Sequence, residues 1–176
     1  MQTYPILFAE TSKEEVIDIL SKEGLKRISY PKKSSLKETW SLRMDFSGNS
    51  ILEINSEPFL AAGWSEVNCI SIKKIKNPKD GFMDSEENII SIDFGGFFIK
   101  KITKLIYQES LVFFDCGIIF CVDNIGDLYV CGGVPCYSIS VKFPSSENFG
   151  NFFPEINLED CCAMEILWTK KEGGDD

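Results

Sequence analysis

The stretch Val112–Phe143, VFFDCGIIFCVDNIGDLYVCGGVPCYSISVKF, constrains the fold more than any other part of the chain. Val112, Phe114, Cys116, Ile118, Phe120 and Val122 recur at every second residue, the period at which strand side chains return to one face. Phe113, Asp115, Gly117, Ile119, Cys121 and Asp123 fill the opposite, mixed face. Asn124–Asp127 supplies turn residues and Leu128–Cys131 brings the chain back. After Gly132, Gly133 and Pro135, alternation resumes at Tyr137, Ile139, Val141 and Phe143. Three strands joined in this order predict an antiparallel meander with an apolar inner face and an acidic outer one.

Around that centre the sequence predicts an α+β fold, mainly antiparallel β-sheet packed by one or two helices, in a single domain over residues 1–176. Tyr4–Ala9 reads as a short buried strand. Thr11 opens a capping box with Glu14, and Val16, Ile19 and Leu20 share one face of a helix over Ser12–Glu23, which Gly24 ends in the left-handed conformation. In 38–55, Trp40, Leu42 and Met44 oppose Ser41, Arg43 and Asp45. The turn Ser47-Gly48-Asn49 then leads to Ile51, Leu52 and Ile54, which makes a β-hairpin. Val67–Lys76 and Ile89–Phe94 are further strands, the second broken by Gly95-Gly96. Phe98, Ile102, Leu105 and Ile106 lie opposite Lys100, Lys101 and Lys104 at helical spacing, which predicts a second helix over Phe97–Gln108. Cys162–Thr169 is a last strand. Residues 77–88 form a polar, flexible loop, 144–160 a long aromatic one, and the tail over about 170–176 frays.

No apolar run reaches the ~18–20 residues of a membrane helix, and MQTYPILFAETSKEE has no basic leader region. Both point to the cytoplasm and away from membranes, with the seven cysteines as reduced thiols. Residues 1–104 hold 15 basic and 15 acidic side chains, whereas 105–176 hold 3 and 12, so the whole net charge of −9 belongs to the second part. Such a field repels nucleic acid and attracts cationic partners. The basic run Lys26–Lys37, KRISYPKKSSLK, carries no signature of a nucleic-acid module and reads as a solvated strand and loop.

The sequence contains no histidine, which removes Ser-His and Cys-His nucleophiles and the commonest metal ligand. Phosphate-loop, dinucleotide and nucleophile-elbow motifs are absent, and Asp93-Phe94-Gly95 lacks the other parts of a kinase. Cys116, Cys121, Cys131 and Cys136 suggest a thiolate set. Their four-residue gaps and the odd separation of Cys116 from Cys121 put sulfurs on opposite strand faces. They read as packing residues, and neither a metal nor a cofactor is expected.

Binding remains. From 105 to 169 nine acids are opposed only by Lys142, with Tyr107, Tyr129, Phe149, Phe152, Phe153 and Trp168 among them. Acids steer a basic protein and aromatics anchor it. A small, acidic α+β chain rich in Ile, Lys, Asn and Phe resembles the bacterial immunity proteins of contact-dependent inhibition and related polymorphic toxin systems. The resemblance is of general character over the whole chain and carries no diagnostic motif. It implies tight binding to a cognate toxin domain, often a basic nuclease, whose substrate cleft is blocked by acids. Asp115, Asp123, Asp127, Glu155, Glu159 and Asp160 are the expected contacts at phosphate-binding positions of the toxin, with Phe152 as an apolar anchor. An enzyme built on clustered carboxylates and a structural or adaptor module stay open as alternatives.

Overall fold

Twelve strands and one α-helix occur among the residues described by the computed structural model, which are 2–60, 66–76, 88–109, 112–134, 137–143, 152 and 154–166. Residues 77–87 of the expected loop at 77–88, and the tail, lie outside them. One sheet contains β1 (Gln2–Tyr4), β8 (Ile99–Glu109), β9 (Val112–Val122), β10 (Gly126–Gly132), β11 (Ile139–Lys142) and β12 (Cys161–Ile166). Its order is β11-β10-β9-β8-β12, and β1 runs parallel to Val112–Phe114 of β9, where β10 does not pair. The second sheet has the order β2-β6-β5-β4-β3-β7, made of β2 (Leu7–Phe8), β3 (Leu25–Pro31), β4 (Ser41–Phe46), β5 (Ile51–Phe59), β6 (Val67–Lys74) and β7 (Ile89–Phe97). The chain passes between sheets at Pro5-Ile6 and at Phe98. The expected strand over Tyr4–Ala9 is therefore two short strands, each pairing with a different sheet.

Helix α1 (Lys13–Lys22) begins one residue later than expected. Ser12, not Thr11, is the N-cap: its hydroxyl accepts from the Glu15 backbone N–H at 3.1 Å, while the Thr11 hydroxyl donates to the Glu15 carboxylate. Capping of this kind stabilises a helix by about 1 kcal/mol. Val16, Ile19 and Leu20 are buried as the periodicity requires. Gly24 does not adopt the left-handed conformation; the chain leaves the helix extended through Glu23. Glycine is needed there because a Cβ would overlap the Gly96 carbonyl oxygen of β7. Gly95 and Gly96, at φ +68° and +84°, make an irregularity within β7 rather than ending it.

β4 and β5 form the expected hairpin, with Ser41 opposite Asn55, Asp45 opposite Ile51 and Asn49 left-handed in the turn. Leu42 and Met44 are buried, yet Trp40 is 47% exposed and Phe46 takes its place in the core.

The second expected helix is strand β8. Its three isoleucines and Thr103 suit a strand, a bulge on β8 itself breaks the two-residue period, and a second bulge lies opposite it on β9. Ile99 pairs with Val122 and Lys101 with Cys121, so Lys100 is an extra residue. Ile99 and Ile102 thereby reach the same core while three residues apart. Further along, Leu105 pairs with Gly117 and Ile106 with Asp115, which makes Cys116 the extra residue on β9. A bulge shifts side-chain phase by one residue. Val112, Phe114 and Cys116 accordingly join a second cluster with Val67, Cys69, Leu105, Cys131 and Ile156. Ile118, Phe120 and Val122 join the main core with α1, Leu128, Val130 and the apolar side of the second sheet. The six residues expected on one face thus serve two cores on opposite faces. Gly117 faces the second cluster: a Cβ there would come within 2.6 Å of the Cys131 sulfur.

The same shift buries Asp115, which is 1% exposed. Its carboxylate accepts from the Ile6 backbone N–H at 3.0 Å and pairs with Lys104 of β8 at 3.1 Å, which ties the crossing between the sheets to their centre. Removing one partner of a buried ion pair strands the other charge. The Lys104 side chain keeps 23% of its exposure, so Lys104→Ala is expected to cost about 2–3 kcal/mol. Urea unfolding measures this; a loss below about 0.5 kcal/mol, as at an ordinary surface site, would contradict it.

Candidate functional site

The residues singled out from the sequence collect on the outer face of the β8–β12 sheet, with two exceptions. Strand alternation places Lys101, Thr103, Leu105 and Tyr107 of β8 on this face. Their β9 and β10 partners include Cys121, Ile119 and Gly117, and Asp127, Tyr129 and Cys131. Glu165 and Cys161 of β12 pair opposite Thr103 and Tyr107. Phe152 and the segment 154–160 lie over the half nearest Tyr107: Ile156, Leu158 and Phe152 pack on the second cluster. Phe152 is half-buried, edge-on to Tyr129 with ring centroids 6.2 Å apart. Tyr129 also carries Lys142 over its ring at 5.1 Å. Phe149 and Phe153 lie outside the described residues.

Asp115 is a correction. The bulge at Cys116 turns it into the protein, where Lys104 and Ile6 engage both carboxylate oxygens, so it is not a surface contact. Glu155 is the second exception. It is half-buried and accepts from the Asn68 backbone N–H at 2.9 Å, while its own N–H donates to the Gly132 carbonyl. It binds its loop to β6 and β10. Asp123 sits at the end of β9 in an ion pair with Lys100 at 2.6 Å. Asp127 is exposed on β10 opposite Cys121, whose thiol is held above its usual range by burial and then by its hydrogen bond with Asp127. Glu159 and Asp160 are exposed in a 3-10 turn (Leu158–Asp160) that leads into β12.

The acids therefore form two groups. Asp127 shares a row with Cys121 and Lys101, and Glu159-Asp160 adjoins the row of Cys161 and Tyr107. Those rows are six residues apart on β8, about 20 Å at ~3.3 Å per residue. Charge that is separated along the chain is also mixed in space. Lys100, Lys101 and Lys104 of β8 pair with Asp123, Glu165 and Asp115 respectively. Hydrogen bonds to Asp123 and Glu165 hold the Lys100 and Lys101 ammonium groups above their ordinary range.

Cys116 and Cys131, read from the sequence as packing residues, are buried in the second cluster. Cys121 lies in the Asp127 row and Cys136 is outside the described residues. Cys116 meets Cys161, with sulfurs 3.3 Å apart. No group of three or more metal-ligating side chains is suitably placed among the described residues. Burial pushes the Cys69 thiol up to about 12, with nearby carboxylates adding to it.

Sequence reasoning missed a second polar surface, on the other sheet. Asp45 receives Arg27 on one carboxylate oxygen at 2.9 Å and Arg43 on the other at 2.7 Å. Next to it Glu53 accepts from the Ser41 hydroxyl at 2.8 Å and faces Lys73 at 3.2 Å. Asp45 and Glu53 are buried, and the alternating charges join β3, β4, β5 and β6 side to side. The signal for it was the polar member of each alternating pair; register was needed to see that those members touch. Beside this sheet, Pro31, Lys33, Trp40 and Asn88 line a cavity of about 210 Å³.

In comparisons with known proteins, no family model, no curated protein and no solved structure matched the chain.

Burial holds the Glu155 carboxyl above its usual range against the hydrogen bonds from Asn68. A carboxyl raised in the folded state binds its proton more tightly there than in the unfolded chain. Its contribution is therefore fully present below the unfolded pKa and declines as pH rises through the folded one. Glu155→Gln keeps an acceptor for Asn68 and removes that charge, so it should raise Tm at pH 7 relative to the parent and leave Tm nearly equal at pH 3.5. A uniform shift at both pH values in thermal denaturation would show that the carboxyl's ionisation is not responsible.

Proposed function

We propose that this chain is an immunity-type inhibitor that binds a cognate basic toxin domain, a nuclease in the most specific form of the reading, and blocks its substrate cleft in the cytoplasm. The observation that carries the proposal is the pair Glu159-Asp160, exposed on a turn anchored to the sheet by Ile156 and Leu158 and without an ion pair among the described residues. Asp127 presents a third exposed carboxylate at the far end of the same face. Tyr129 and Phe152 lie between them as half-buried aromatics. Separated acids around a firm, partly apolar centre suit a surface that spans successive cationic positions and excludes water between them. Asp123 contributes less field than the sequence implies because Lys100 pairs with it.

An enzyme built on clustered carboxylates is the second reading, and Asp45 with Glu53 is the observation in its favour. Each is held between strands by cations, an arrangement that also serves to fix register.

The inhibitor reading is tested by reversing Asp127, Glu159 and Asp160 together to lysine. The reading predicts a toxin domain encoded beside this gene; cells co-expressing that domain with the variant should lose protection, and affinity should fall by at least about a hundredfold, or ~2.7 kcal/mol. Circular dichroism would verify that the variant folds. Unchanged protection by the folded variant would reject this face as the contact, and failure of the parent protein to protect would reject the inhibitor reading.

A further inference from the structure

The Cys116 and Cys161 sulfurs lie 3.3 Å apart, although they come from strands β9 and β12 with β8 between them. Two local features bring them together. Cys116 is the bulged residue of β9, and its thiol reaches over β8 to the Leu105 carbonyl at 3.4 Å. Cys161 begins β12 directly after the 3-10 turn, and its thiol also lies 3.4 Å from the Asn157 carbonyl. From this geometry we propose that Cys161 and Cys116 form a peroxide-responsive thiol pair, in which Cys161 reacts with a hydroperoxide and Cys116 resolves it to a disulfide.

The environments divide the roles. Cys161 is half-buried at the start of an edge strand, whereas Cys116 is 5% exposed. The hydrogen bond between them holds the Cys161 thiol below its ordinary range. The same bond, and then burial, hold Cys116 well above. The thiolate is the nucleophile in such chemistry. The Cys161 thiolate attacks the peroxide; an S–O bond forms, the O–O bond breaks, and the departing hydroxide is protonated to water. The Cys116 sulfur then attacks the sulfenic sulfur, an S–S bond forms, the S–O bond breaks, and hydroxide leaves with the Cys116 proton as a second water. Two thiols lose two electrons and one hydrogen peroxide is reduced to two waters. The bond joins the edge strand β12 to the central strand β9 and closes the long chain segment between them, which restricts the unfolded state.

The test uses the full chain carrying Cys162→Ser, which removes the exposed neighbouring thiol. After treatment with stoichiometric hydrogen peroxide, peptide mapping without reduction should recover the Cys116–Cys161 cross-link. Tm should rise by roughly 5 °C and return to its starting value with dithiothreitol. Cys116→Ala in the same background should leave Cys161 as a sulfenic acid trapped by dimedone. Sulfinic acid at Cys161 with Cys116 still a free thiol, a cross-link through any other cysteine, or no modification of either residue would overturn the proposal.

Discussion

The bulge at Cys116 is the constraint on which the rest of the structure depends. One residue more on β9 than β8 can pair turns Val112 and Phe114 to one side of the sheet and Ile118, Phe120 and Val122 to the other. A single strand thereby supplies two cores, each burying apolar side chains at ~25 cal/mol per Å² removed from water. The shift also aims Asp115 at the crossing between the sheets, where it accepts from the Ile6 N–H, and brings the Cys116 thiol over β8 toward Cys161. Packing, sheet crossing and thiol chemistry meet at that residue.

Much of the architecture was legible from period alone. Val16, Ile19 and Leu20 marked α1, the turn at Asn49 marked the β4–β5 hairpin, and the alternating runs marked β6, β9, β10 and β11. What pattern could not supply was phase across irregularities. Lys100 and Cys116 each break the two-residue period, so β8 looked helical and β9 looked one-faced. Gly24 shows a related limit. Its position after a helix suggested a left-handed cap, yet its role is to admit the carbonyl of Gly96, a partner 72 residues away in the chain.

The surface was less legible than the fold, for an electrostatic reason. Charge counted along the chain placed all of the acidity after residue 104, but sheet order sets β8, with its lysines, beside β9 and β12. Asp115, Asp123 and Glu165 are consequently paired, Glu155 is tied to β6, and of the expected contacts Asp127, Glu159 and Asp160 are left exposed without an ion pair among the described residues. The Asp45–Glu53 ladder on the second sheet likewise became visible only when register set Arg43 between Asp45 and Glu53 as a neighbour of both. For a binding reading, the consequence is a smaller and more defined surface: three carboxylates around Tyr129 and Phe152 rather than a uniformly acidic face.

The division of β9 between two cores is tested most directly by nuclear Overhauser contacts in the folded protein. Ile118 methyl groups should give cross-peaks to Val16 and Leu20, with which they line one small gap under α1. The Phe114 ring should contact Tyr107, at a ring separation of 5.6 Å, and give none to α1. Cross-peaks from Phe114 and Ile118 to the same helix would mean that β9 alternates without interruption, and would contradict the account.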